Sequence, residues 1–83
     1  MRIISRETIA DVNYDTHYLF YRLYRDASGE EKHALMAKST HQPSGETILA
    51  TRDKREEIEK ISLEIGKSFA QGSAVHLIKK EEK

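Results

Sequence analysis

The chain has 83 residues, with 14 Lys plus Arg, 14 Asp plus Glu, four His and no Cys, so its length allows one small domain and excludes a multidomain enzyme. A net charge of zero removes any general attraction to nucleic acid or anionic lipid and leaves only local patches to supply one. Without Cys there is no disulfide framework, thiolate zinc site or thiol nucleophile, and no apolar run has the length of a membrane span or signal-peptide core. The expectation is a soluble, cytoplasmic protein with no membrane contact.

Residues 1–45 carry six basic and six acidic side chains, and residues 46–83 carry eight of each, so neither half is a basic arm or an acidic tail. Leu, Ile, Val and Phe total 18, enough to fold but few for a stable core. A domain of this size buries only about 60% of its unfolded surface, and its core rarely supplies more than about 3 to 5 kcal/mol. Support from self-association or from a protein partner is therefore expected.

In chain order, β-branched residues at Ile3 and Ile4 predict a strand over 2–6. Ile9 and Val12, three apart, fit either one helical turn or an irregular continuation of that strand. Asn13-Tyr14-Asp15 reads as a turn, because Asn and Asp side chains satisfy backbone groups locally. Residues 16–25 hold four aromatics and two Leu and predict a strand, since such side chains suit a pleated, half-buried surface. Asp26-Ala27-Ser28-Gly29 predicts a hairpin turn, with Asp beginning a type I turn and Gly taking the left-handed position. The returning strand spans 33–39. Thr40 to Gly45, with the one Pro, is a second turn, and 47–50 is a further short strand.

A long helix follows. Asp53 with Glu56 predicts a capping box, Glu57 and Lys67 suit the two ends of the helix dipole, and Gly72 supplies the stop. Ile58, Ile61, Ile65 and Phe69 form one narrow apolar stripe, while Leu63 lies alone on the polar side. Gly66, near the stripe, predicts a close approach of helix backbone to sheet. Ala74 to Ile78 is apolar on both faces and reads as a strand inside the sheet, not at its edge, with residues 80–83 a frayed tail. The fold class expected is α+β: a single domain, 1–83, with a mostly antiparallel sheet of four to five strands and one amphipathic helix on one face. This order of elements resembles, in architecture alone, the small DNA-contacting domains of phage integrases and several sheet-based RNA binders. The glycines of the RNP-type aromatic signature are missing.

If 27–29 form the loop, Asp26 pairs with Glu30, and Leu19, Tyr21 and Leu23 lie opposite Ala37, Leu35 and His33 on the better core face. The other face then collects Tyr18 opposite Lys38, Phe20 opposite Met36, Arg22 opposite Ala34 and Tyr24 opposite Lys32. Aromatic and basic at once, it suggests three uses. It packs within the chain, with cationic stems along the rings; it meets protein; or it stacks single-stranded nucleic acid while its cations neutralise phosphates.

A protein-interaction module is the leading expectation. It self-associates or binds another protein through this face or an edge strand, with Tyr18, Phe20, Arg22, Tyr24, Met36 and Leu63 as contact candidates. The premise is that one narrow helix stripe cannot cover both faces of a sheet. Single-stranded nucleic-acid binding is the alternative, carried by Tyr18, Phe20, Arg22, Tyr24, Lys32 and Lys38. Catalysis is not expected. His17, His33, His41 and His76 lack helical metal spacing, although His17 and His33 stand as a conceivable pair on the hairpin. Ser44-Gly45-Glu46-Thr47 lacks the phosphate-loop pattern, and Glu56, Glu57 and Glu59 read as solvated. No cofactor, metal or small-molecule substrate is expected.

Overall fold

The computed structural model describes residues 1–41 and 45–80. The turn expected around Pro43, the rejected phosphate-loop segment at Ser44 and the tail beyond Lys80 lie wholly or partly outside the described residues.

Six strands and one helix follow the chain as β1 (Arg2–Ser5), β2 (Ala10–Asn13), β3 (His17–Arg25), β4 (Glu31–Ser39), β5 (Glu46–Arg52), α1 (Arg55–Ala70) and β6 (Val75–Ile78), with a 3-10 turn at Tyr14–Thr16. The strands form two three-stranded sheets, in the orders β2-β1-β6 and β3-β4-β5. The α+β class holds, but the single sheet of four to five strands does not. Residues 10–13 settle the ambiguity around Val12 as a strand, reached through Ile9, whose φ of +55° is costly for a β-branched residue. β1 pairs antiparallel with β2 and parallel with β6, Ile3 standing opposite both Val12 and His76. β6 is thus an edge strand, contrary to the expectation from its apolar run. Val75 and Leu77 are exposed, and Ile78 is buried.

The hairpin β3–β4 forms in the register expected from its turn, with Tyr18 opposite Lys38, Phe20 opposite Met36, Tyr21 opposite Leu35 and Tyr24 opposite Lys32. Gly29 takes the left-handed position at φ +85°. The Asp26 carboxylate accepts from the N–H groups of Ser28 (2.9 Å) and Glu30 (3.1 Å), which fixes the loop and hence every pair above it. Between β4 and β5 the register shifts, Leu35 pairing with Ala50 but Met36 with Ile48. The extra residue, Leu49, is a bulge. It lets Leu49 and Ala50, adjacent in sequence, both enter the core.

The helix lies across the inner faces of both sheets. Ile58 and Ile65 are buried with Ile3, Val12, Leu35, Leu49 and Ile78 in one cluster. At its start the Arg55 guanidinium sits 4.8 Å over the Tyr21 ring. At its end Phe69 packs 4.9 Å from Tyr14, and Ser68 meets His76 Nδ1 at 2.6 Å. The stop is as expected: Gly72 N–H bonds Phe69 C=O and Ser73 N–H bonds Ser68 C=O, both at 3.0 Å, which is a Schellman motif. The start is not. Lys54 occupies the cap position without a side-chain cap, and Asp53 accepts from Lys32 Nζ at 2.5 Å. Gly66 serves no close approach, since a Cβ there would meet nothing within 4 Å.

Candidate functional site

The face carrying Tyr18, Phe20, Arg22 and Tyr24 lies opposite the helix, because alternation places Tyr21 and Leu35 toward α1. It seals itself in part. Ala34 and Met36 are 0% and 4% exposed but stand outside the helix-covered core cluster. Arg22, opposite Ala34, reaches Glu46, opposite Lys38, at 2.6 Å, so this ion pair runs diagonally past Met36. The same guanidinium lies 5.3 Å from the Phe20 ring, which packs 5.9 Å from Tyr18. Met36 therefore presents almost no contact surface, whereas Tyr18 is 49% exposed.

The cations of this face are engaged. The hydrogen bond from Arg22 holds the Glu46 carboxyl below its ordinary range, and the bond to Asp53 raises the Lys32 ammonium above its own. Glu30 is a second carboxylate beside Lys32, at 3.6 Å. Lys38 borders Glu46, whose carboxyl it also lowers.

The two outer edges of the β3-β4-β5 sheet differ sharply. At β5, the last residue of β1 and the segment linking β1 to β2 fold their side chains onto the edge. The Ser5 hydroxyl donates to Leu49 C=O and the Thr8 hydroxyl to Ile48 C=O, each at 2.5 Å. The Glu7 carboxylate accepts from the Thr51 N–H at 2.6 Å and its hydroxyl at 3.2 Å, and pairs with Arg52. The two carbonyls are those of the bulged residue and of the residue before it. Sequence reasoning missed Ser5, Glu7 and Thr8 because polar residues at the end of a short strand and just beyond it carry no mark of which distant groups they satisfy.

At β3, nine residues long, no strand among the described residues pairs with the outer side. Bonds from Thr40 N–H to Thr16 C=O and from Asp26 N–H to Glu30 C=O set the parity of the hairpin. Even-numbered residues of β3 bond β4, and His17, Leu19, Tyr21, Leu23 and Arg25 turn their N–H and C=O groups outward. Beside this edge runs an open groove of about 450 Å³ between strand and helix, lined by Leu19, Tyr21, Leu35, Ile58, Ser62 and Leu63 among others. Leu63, the lone apolar residue on the polar side of α1, is 67% exposed at its rim. Leu23, on the same sheet face, is 51% exposed.

The histidines are dispersed. His17 stands opposite Ser39 and His33 opposite Leu23, at the two ends of the hairpin, so the conceivable pair does not form. His33 Nδ1 bonds the Tyr21 hydroxyl at 2.5 Å and His17 Nδ1 lies 2.9 Å from Asn13 C=O. Glu59 pairs with Arg55 at 3.2 Å on the exposed helix surface. Among the described residues no group of three His, Asp or Glu is arranged to hold a metal ion, and no helix is long and apolar enough to cross a membrane. No protein-family model matches the sequence, and neither a curated protein nor a solved structure matches it.

Proposed function

We propose that this chain is a non-catalytic protein-interaction module that takes up an extended polypeptide segment as an additional strand on the outer edge of β3. The observation that carries the reading is the coincidence of a nine-residue edge left unpaired among the described residues with a groove along it lined mainly by apolar side chains, with Glu59 and Ser62 on the helix side. In strand addition the backbone of the edge supplies affinity, and pockets for alternate side chains supply selectivity. Here the backbone groups come from Leu19, Tyr21 and Leu23, and the pocket lies between Leu19 and Leu63. Long apolar edges are normally blunted by Lys, Pro, bulges or covering side chains, and the β5 edge of this same sheet is covered.

Nucleic-acid binding on the aromatic face has weaker support. It needs cations directed at phosphates, and Arg22 and Lys32 are already held by carboxylates, in a chain with no net charge.

Selection of random nonapeptides against the immobilised chain tests the proposal. The expected binders alternate apolar and polar residues, lose binding to the Leu23→Lys and Leu63→Glu variants, and keep it with Tyr18→Ala. Binders without that period, or sensitive to Tyr18→Ala alone, would overturn it.

A further inference from the structure

Resting on the reading of β3 as a docking edge, we infer that its occupant is β3 of a second copy, joined antiparallel about a two-fold axis through Tyr21 to make one continuous six-stranded sheet. The register follows from the strand itself. Because only odd-numbered residues turn their backbone groups outward, odd must pair with odd across the new edge. An axis at Arg22 would set that guanidinium against its own copy, and like charges directly opposite one another destabilise a sheet. An axis at Phe20 strands Tyr24 and Arg25 beyond the end of the partner strand. The Tyr21 axis pairs all nine residues.

In that register the side chains complement each other. Phe20 meets the partner copy's arginine at position 22, a ring beside a guanidinium, and Leu19 meets the leucine at position 23. Residues directly opposite share a face, so the half-exposed Leu23 of each copy enters the groove that the other copy builds from Leu19, Ile58 and Leu63. One element thus supplies both the exposed apolar side chain and the place that receives it, as an isologous interface requires. The two helices then lie on the same side of the extended sheet, with their exposed Leu63 side chains flanking the new strand pair.

The chain has no Cys, so single-Cys variants report this register directly. Opposed residues of a hydrogen-bonded antiparallel pair have Cα atoms about 5.5 Å apart, within the range a disulfide spans. In a glutathione redox buffer, Tyr21→Cys alone should form a covalent dimer. Leu19→Cys and Leu23→Cys should cross-link when mixed and at least about 10-fold less when separate, since each residue sits several positions from its own copy. Sedimentation of the unmodified chain supplies an arm free of substitutions: it should show a monomer–dimer equilibrium, weakened at least about 30-fold in Leu23→Lys, the loss of one hot-spot contact. A chain that stays monomeric at millimolar concentration overturns self-pairing, while peptides selected as above would still uphold the docking edge. A dimer that cross-links only through Tyr18→Cys overturns both.

Discussion

The two outer edges of the β3-β4-β5 sheet belong to one small structure and are treated in opposite ways. At β5 the carbonyls of Ile48 and Leu49 and the N–H of Thr51 are each taken by a side chain from the end of β1 or the segment that follows it. At β3, five residues present their backbone groups with no strand beside them among the described residues. The covered edge joins the two sheets and so contributes to folding. The outward backbone groups of the open edge take no part in the pairing of this sheet, and the proposed docking rests on them. An edge without intramolecular partners is the part of this molecule most free to serve recognition.

Substitutions that strip the covered edge should have the largest effect on stability. Glu7→Ala leaves the Thr51 N–H without its acceptor and removes one of the groups that bond Arg52, with the Glu7 and Arg52 side chains only 14% and 11% exposed in the native pair. A loss of about 1 to 3 kcal/mol is expected in urea unfolding, the cost of leaving a part-buried N–H without its acceptor. Ser5→Ala, at a buried hydroxyl bonded to Leu49 C=O, should cost about 1 to 2 kcal/mol. Away from either edge, Gly66→Ala should add about 1 kcal/mol, because Ala is the better helix former and its Cβ would meet open space. That gain provides a background in which edge variants stay folded. On the open edge, Leu23→Lys should move the stability of the monomer by no more than about 0.5 kcal/mol, as an exposed position allows, while removing association. A large loss of monomer stability there would erase the contrast between the edges.

The aromatic face gives the smallest effect, and it depends on pH. The Glu46 carboxyl lies below its ordinary value of 4.5 because Arg22 donates to it. A depressed folded value means that its contribution is present above the ordinary value and disappears as pH falls through the folded one. Glu46→Gln should therefore unfold with a shallower loss of stability on acidification than the parent chain, measured by urea midpoints taken at about pH 6 and about pH 3.

How much of this was legible in the sequence depended on the range of the contact. The hairpin register, including the pairs that build the aromatic face, followed from Asp26 and Gly29, because a turn fixes all pairs that grow from it. The Schellman stop at Gly72 and the isolated position of Leu63 were legible for the same local reason. The division into two sheets was not: Ile3 meets His76 through a parallel pairing that leaves no local trace. The capping role given to Asp53 failed because Lys32, distant in sequence, draws its carboxylate away. The bulge at Leu49 hid in an ordinary apolar run, and with it the two carbonyls that Ser5 and Thr8 satisfy. As for the site, its apolar side chains were visible in the sequence, while the identity of β3 as an outer strand was a property of topology alone.

Residue-resolved amide exchange in dilute protein tests the contrast most directly. With β3 open and β5 covered, the N–H groups of Leu19, Tyr21 and Leu23 should exchange at least about 100-fold faster than those of Phe20 and Arg22, as unbonded amides beside bonded ones do, and Thr51 should be protected. Equal protection along β3 in the monomer, or rapid exchange at Thr51, would contradict it.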